Sequence, residues 1–413
     1  MKNAILNIVC LGVDSVKAKY DFSKVKKAVS LAAGKVINMK TSHKIIIGAA
    51  TAVTAATAGT AIVKSNQAKK QGRSVKSLMF EDAARRLPVT PKRQKSYEAA
   101  LEESAKPFVL PNPARKIIGL TELDAFTDTF VLEPKDKTSD DIIFYIPGSN
   151  YWYHPSRYHY AFMRKAVNQL GMQMIVPVYP KAPTHNVVEI QQMILDRYLY
   201  LINEKEIPAE NIVFMGDAAG GAIALALLQK LRYQALPMPK LGILISPWLD
   251  ATLANPDIEQ YIAQDSLLSP DKLAYKAEHY AGDLPLTHPA VSPIYGDLSG
   301  LPRLLVFAGS REIFCADVLK LQQFADEHEL DIDVNVFQSQ MHFFVGLPIP
   351  EAEEAFAIMS SELYGVEEVD VLPDEIEEDE EVLEEVEEPL AQTTQLAEDF
   401  AEATVEEEDM FTE

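Results

Sequence analysis

Residues 211–221, NIVFMGDAAGG, carry a short apolar run, Ile212 to Met215, into a turn bracketed by Gly216, Gly220 and Gly221. Ala222 to Leu231 then reads as a helix. A strand–turn–helix of this layout presents the residue at its tip beyond the end of the strand, where acyl-transfer chemistry places a serine nucleophile. The residue at the tip is Ala218, which has no nucleophilic atom. Such chemistry also needs an imidazole base, a carboxylate to orient it, and N–H donors for the oxyanion. Gly148 and Ser149, in the loop of IIFYIPGSNYWY (142–153), and Ala219, just after the tip, are candidates for that donor set.

These residues need a scaffold. Apolar runs at 127–132, 142–146, 173–178, 212–216, 241–246, 303–308 and 332–337 predict strands, with helical patterns between most of them. That alternation predicts a mostly parallel sheet covered on both faces. The interval 250–300 holds no strand pattern and reads as an insertion after the strand carrying Ser246, Pro247 and Trp248.

The two ends differ from this middle. The formal charge of −23 is uneven: from Val366 to Glu413 there are 22 acidic residues and no Lys or Arg. Like charges at that density predict an extended, disordered tail, unsuited to nucleic acid and able to meet a basic protein partner. Residues 1–76 hold 14 Lys/Arg against Asp14 and Asp21. Within them Ile45 to Val63 is 19 residues without a charge, close to the length that spans a bilayer. Lys40, His43 and Lys44 precede that run, and Lys64, Lys69, Lys70 and Arg73 follow. A single-pass membrane anchor is the expectation, with the globular part on the cytoplasmic side by the basic residues after the run. Its seven Ala and four Thr leave a surface-lying or buried helix as the alternative. Cys10 and Cys315 are expected to be free thiols. No metal-ligand spacing is present, and neither a metal nor a cofactor is expected.

Four further segments, in order, resemble the hormone-sensitive-lipase-like branch of the α/β-hydrolases, which are esterases and lipases. They are VPVYPKAPTH (176–185), ISPWLDATLANPDI (245–258), HPAVSPIYGDLSGLPRLLVFAGSREIF (288–314) and MHFFVGLPIPEAEEA (341–355). The resemblance covers roughly residues 110–360. It implies an α/β-hydrolase fold, with a mostly parallel doubly covered sheet and helical cap insertions. Joined to the charge and hydropathy of the two ends, it gives the layout 1–40 basic amphipathic extension, 41–66 transmembrane helix, 67–105 linker or helical cap region, 106–365 hydrolase domain and 366–413 acidic tail. Glu312 falls at the family's acid position, with Asp317 the alternative, and His342 at its histidine position. Ala218 falls where the family has its serine. The family's H-G-G-G oxyanion loop is here Pro147-Gly148-Ser149-Asn150, in which the Cβ atoms of Ser149 and Asn150 are expected to restrict positive φ and so damage the hole. Ser149 lacks the exposure and alignment of an elbow residue and is a poor substitute nucleophile. Tyr151, Trp152, Tyr153, Tyr158 and Tyr160 either line an apolar site or pack a cap, and packing is the ordinary use of such rings.

The resemblance therefore implies an esterase-type chain with catalysis lost or reduced, keeping a role in binding a small apolar ester-like ligand or a protein. Two rivals are an active carboxylic-ester hydrolase with unusual machinery and a membrane-associated adaptor.

Overall fold

The computed structural model of the protein describes residues 63–86 and 101–365, apart from Glu103, Pro113 and Ala125. The basic extension, Cys10, all but the last residue of the 45–63 run, residues 87–100 and the acidic tail lie outside the described residues. Among the described residues no helix is long and apolar enough to cross a membrane. Arg73, expected to flank the membrane run, is buried against Glu81. The described part from Ser65 onward belongs to one compact unit.

Eight strands form a single sheet in the order β1-β2-β4-β3-β5-β6-β7-β8. They are β1 (Thr121–Glu122), β2 (Thr129–Leu132), β3 (Ile142–Ile146), β4 (Gln173–Pro177), β5 (Ile212–Asp217), β6 (Leu241–Ile245), β7 (Leu304–Gly309) and β8 (Ile332–Phe337). The β1–β2 and β2–β4 pairs are antiparallel, and every pair from β4 to β8 is parallel. Seven strands coincide within a residue or two with the apolar runs of the sequence. The eighth, β1, is a two-residue exposed edge that leaves no such run.

The central strands β3, β5 and β6 are buried along their whole length, which is why they read as continuous apolar runs rather than alternating ones. Successive side chains still go to opposite faces. Phe144 and Phe214 join one core with helices α3 (Val187–Asn203), α4 (Ala218–Tyr233) and α6 (Cys315–Glu327). Tyr145 and Met215 join the other, with α2 (Arg157–Leu170) and α7 (Pro350–Tyr364). Two further helices complete the set used below: α1 (Val75–Arg86) and α5 (Pro270–Ala281), the latter in the 250–300 insertion.

Local signals start the helices. Asn186 caps α3, its Oδ1 accepting from the N–H groups of Val188 and Glu189, while Glu189 accepts from the Asn186 N–H. After β3 the chain passes through α2 to β4 on one side, then crosses back to β5 on the other. The strand order reverses there, and the carboxyl ends of β3 and β5 open a crevice between their following loops. Those loops are Pro147–Asn150 and Asp217–Ala219.

Candidate active site

The turn after β5 has the strained geometry of a displayed residue. Ala218 sits at φ +46°, a left-handed conformation that costs an alanine roughly 1–2 kcal/mol. Close packing holds it there. A Cβ on Gly216 would lie 2.5 Å from the Gly220 carbonyl oxygen, and one on Gly220 would lie 2.0 Å from that of Ile146. Side chains at either position are excluded, so the first turn of α4 sits directly against the ends of β5 and β3.

Across the crevice a carboxylate–imidazole arm is assembled from three loops. Glu312 is fully buried. Its Oε1 accepts from Ser246 Oγ at 2.8 Å and from the Gly309 N–H at 2.8 Å. Its Oε2 bonds His342 Nδ1. Ser246 Oγ also accepts from the Phe343 N–H at 3.1 Å, so one hydroxyl ties the acid to the histidine segment. Burial opposes a charged His342, but the neighbouring Glu312 carboxylate, with Asp265 and Asp217 farther off, outweighs it and raises the imidazole above its ordinary value. Asp317, the alternative acid, is elsewhere: its Oδ1 accepts from Asn255, and burial pushes its carboxyl up to about 6.

The loop after β3 corrects one expectation. Ser149, Asn150 and Tyr151 all take positive φ, at +82°, +54° and +66°, despite their Cβ atoms. The surroundings over-determine the turn. Tyr179 donates from its hydroxyl to the carbonyls of Pro147 and Gly148, at 2.9 Å each. Tyr151 is buried and stacked on Tyr280, with ring centroids 3.6 Å apart. Asp217 Oδ1 accepts from the Gly148 N–H at 2.9 Å and from the Tyr145 hydroxyl at 2.5 Å. Burial opposes the charged form of Asp217, and His159, Tyr145 and Gly148 outweigh it, holding the carboxyl below its usual range. Gly148 is obligatory, because a Cβ would fall 2.3 Å from the Asp217 carboxylate. Asp217 is thus the anchor of this loop, which the sequence alone did not reveal.

Ala218, Ser149, Asn150 and His342 line one cavity of about 260 Å³. Its apolar wall comes from Phe80, Leu267, Leu268, Met341, Phe343 and Leu347. Of the four tyrosines and one tryptophan after the β3 loop, only Tyr158 reaches it. Trp152 packs against Tyr275 and His279, and Tyr160 is buried on the core face of α2. Phe80, Ala83 and Ala84 come from α1, which lies in the stretch expected to be linker or cap. That helix is pinned by Glu81, a buried carboxylate bonded to Arg73, Arg85 and Arg311. Burial opposes its charge, and the three guanidinium groups outweigh it, lowering its value.

The arrangement has an imidazole bonded to a buried carboxylate, an apolar wall and a left-handed loop whose Gly148 N–H is taken by Asp217. At the tip of the turn it has only a methyl group. Cys315, at the start of α6, is buried and its thiol is pushed up to about 12, so it supplies no nucleophile. Among the described residues no group of His, Cys, Asp and Glu is arranged to hold a metal ion.

Comparison with known proteins agrees with this fold. A family model described as the alpha/beta hydrolase fold matches residues 143–346. An esterase of Acinetobacter venetianus is 32% identical over 223 residues, which is 53% of this chain and 73% of the esterase. An acetyl-hydrolase of Streptomyces hygroscopicus is 30% identical over 183 residues, 44% of this chain and 61% of that protein. Among solved structures, an esterase from the bacterial hormone-sensitive lipase family superposes with a TM-score of 0.60 at 22% identity, covering 70% of this chain and 98% of that one.

Proposed function

Because this chain belongs to the α/β-hydrolase family, in its hormone-sensitive-lipase-like branch of esterases, we propose that it is a pseudohydrolase: an esterase pocket that binds a small apolar ester-like ligand without the elbow nucleophile that would cleave it. Ala218 carries the reading. It occupies the strained tip of the turn after β5, it lines the same cavity as His342, and it offers no atom for His342 to deprotonate. Removing a catalytic serine costs about 10⁶ in turnover, leaving roughly 10³–10⁴ over water from binding and oxyanion donors. The loop 147–150 remains altered in composition, with a proline and two side chains in place of histidine and glycines, although its backbone conformation is left-handed.

The 45–63 run supports membrane association of the chain, and the acidic tail supports binding of a basic protein partner. Both belong to this proposal. An alkaline carbonate wash that released the full chain from membranes would remove the anchor from it.

The test of the pocket reading is hydrolysis of a short-chain aryl ester by the full chain and by Ala218→Ser. The expected result is that the variant exceeds the parent by about 10³-fold, the worth of the serine less the 10²–10³ of an imperfect oxyanion hole. Ordinary esterase turnover in the parent would overturn it.

A further inference from the structure

The cavity holds a second histidine. Ser156 immediately precedes α2, and His159 lies in its first turn; both line the cavity, as does Asp217. Ser156 Oγ is 2.8 Å from His159 Nδ1. The Ser156 backbone N–H also donates to that nitrogen, at 3.1 Å. His159 Nε2 is 3.4 Å from Asp217 Oδ2.

Hydrogen-bond chemistry fixes the direction of this chain. A backbone N–H can only donate, so Nδ1 is the acceptor and carries no proton in the neutral ring. The Ser156 hydroxyl must then donate to Nδ1, and the ring proton sits on Nε2, facing the Asp217 carboxylate. That carboxylate is ionised, since its other oxygen accepts from Gly148 and Tyr145. The ring is held in place by Phe343, stacked on it with centroids 5.4 Å apart. Hydroxyl, imidazole and carboxylate thus run in the order of a nucleophilic triad, with the two ring nitrogens exchanged. A triad is recognised by such geometry and roles rather than by sequence position.

We propose that Ser156, His159 and Asp217 form a second nucleophilic relay in this pocket, one that takes the acyl group of a short-chain carboxylic ester. The proposal rests on the reading that the Ala218 elbow has no nucleophile, and assigns the missing atom to a different loop. Ser156 Oγ attacks the ester carbonyl carbon, and its proton passes to His159 Nδ1. The imidazolium is stabilised by Asp217 through Nε2–H. The carbonyl–alkoxy bond breaks, His159 returns the proton to the leaving oxygen, and an alcohol departs. Ser156 keeps the acyl group as an ester. The cavity of about 260 Å³, with its apolar wall, sets the size of the acyl group at a few carbons.

The experiment is labelling of the full-length protein with a fluorophosphonate, followed by digestion and mass spectrometry to map the adduct. The expected adduct is on Ser156. It should vanish in Ser156→Ala and form about 10²-fold or more slowly in His159→Gln, because a general base contributes 10²–10⁴. Glutamine at the third helical position keeps the capping contact to the Ser156 N–H, so the helix start is retained while the basic nitrogen is lost. No adduct in the parent, an adduct on Ser149 or another hydroxyl, or an unchanged rate in His159→Gln would each overturn the proposal. If Ser156 stays unlabelled while ester hydrolysis depends on His342, the relay and the pseudohydrolase reading both fail. If Ser156 stays unlabelled and no hydrolysis depends on His342, the relay alone fails.

Discussion

The two halves of the pocket are built to different standards. On the Glu312 side three donors converge on one buried carboxylate, and Ser246 binds both the acid and the histidine segment. On the Ala218 side the backbone is kept under strain, with positive φ at Ala218, Ser149, Asn150 and Tyr151, yet no reactive atom is presented. The difference teaches that geometry and chemistry are held by different forces. The turn persists because glycine contacts at Gly216 and Gly220 and the Asp217 anchor leave it no other conformation. Nothing in that packing requires a hydroxyl at position 218, so the reagent is separable from the fold.

The largest expected effect follows from restoring that atom. Ala218→Ser should gain about 10³-fold in aryl-ester turnover, and rebuilding 147–150 as H-G-G-G should add at most 10²–10³ more, the worth of an oxyanion donor. If Ala218→Ser alone reaches full esterase rates, the two halves do not differ in quality.

A pH profile sharpens the same comparison. His342 acts as a base only when neutral, and its value lies above the ordinary imidazole figure of about 6.5. Activity of Ala218→Ser should therefore rise with pH through a midpoint above 6.5. Glu312→Gln in that background should lower the midpoint, because the carboxylate that most opposes burial of the charged ring is gone, and should cost about 10⁴ in kcat by holding the imidazole in the wrong tautomer. In folding, the sign runs the other way: a raised histidine stabilises the fold below about pH 6.5, and this is lost as pH climbs through the folded value. Calorimetric scans from pH 5 to 9, comparing the parent with His342→Gln, check it.

Stability changes come next in size. Glu81→Gln should cost about 3–5 kcal/mol, since it leaves the buried Arg73 guanidinium without its carboxylate. The same lowered carboxyl predicts that this contribution is present above Glu81's unfolded value, about 4.3, and lost as pH falls through its folded one. Urea melts at pH 7 and pH 3 distinguish the two. Gly220→Ala should cost about 1–3 kcal/mol by overpacking against Ile146. The smallest effect is Ser149→Gly, which relieves a left-handed serine and should stabilise by up to about 1 kcal/mol. A melting temperature that falls instead would mean that the loop is unstrained, contrary to the contrast drawn between the two sides.

Much of this was legible in the residues. Buried parallel strands leave continuous apolar runs, so seven of them stood out, whereas the exposed pair Thr121–Glu122 left none. Glu312 and His342 were found because their flanking motifs are local. The role of Asp217 leaves no local pattern, because its partners Tyr145 and Gly148 come from β3 and its following loop some 70 residues earlier. The Ser156–His159 pair has the spacing of a capping contact, and only the fold shows that its far nitrogen faces Asp217. Glu81 and Arg311 are 230 residues apart, and no sequence pattern joins them.

The central claim is that the Glu312–His342 arm, though complete, is chemically idle. The most direct test is kcat/KM for a short-chain aryl ester in the parent protein and in His342→Gln. The account predicts equal values, set by whatever Ser156 and the pocket contribute. A drop of about 10²-fold or more on losing His342, the usual worth of a general base, would show a nucleophile working with it and contradict the claim.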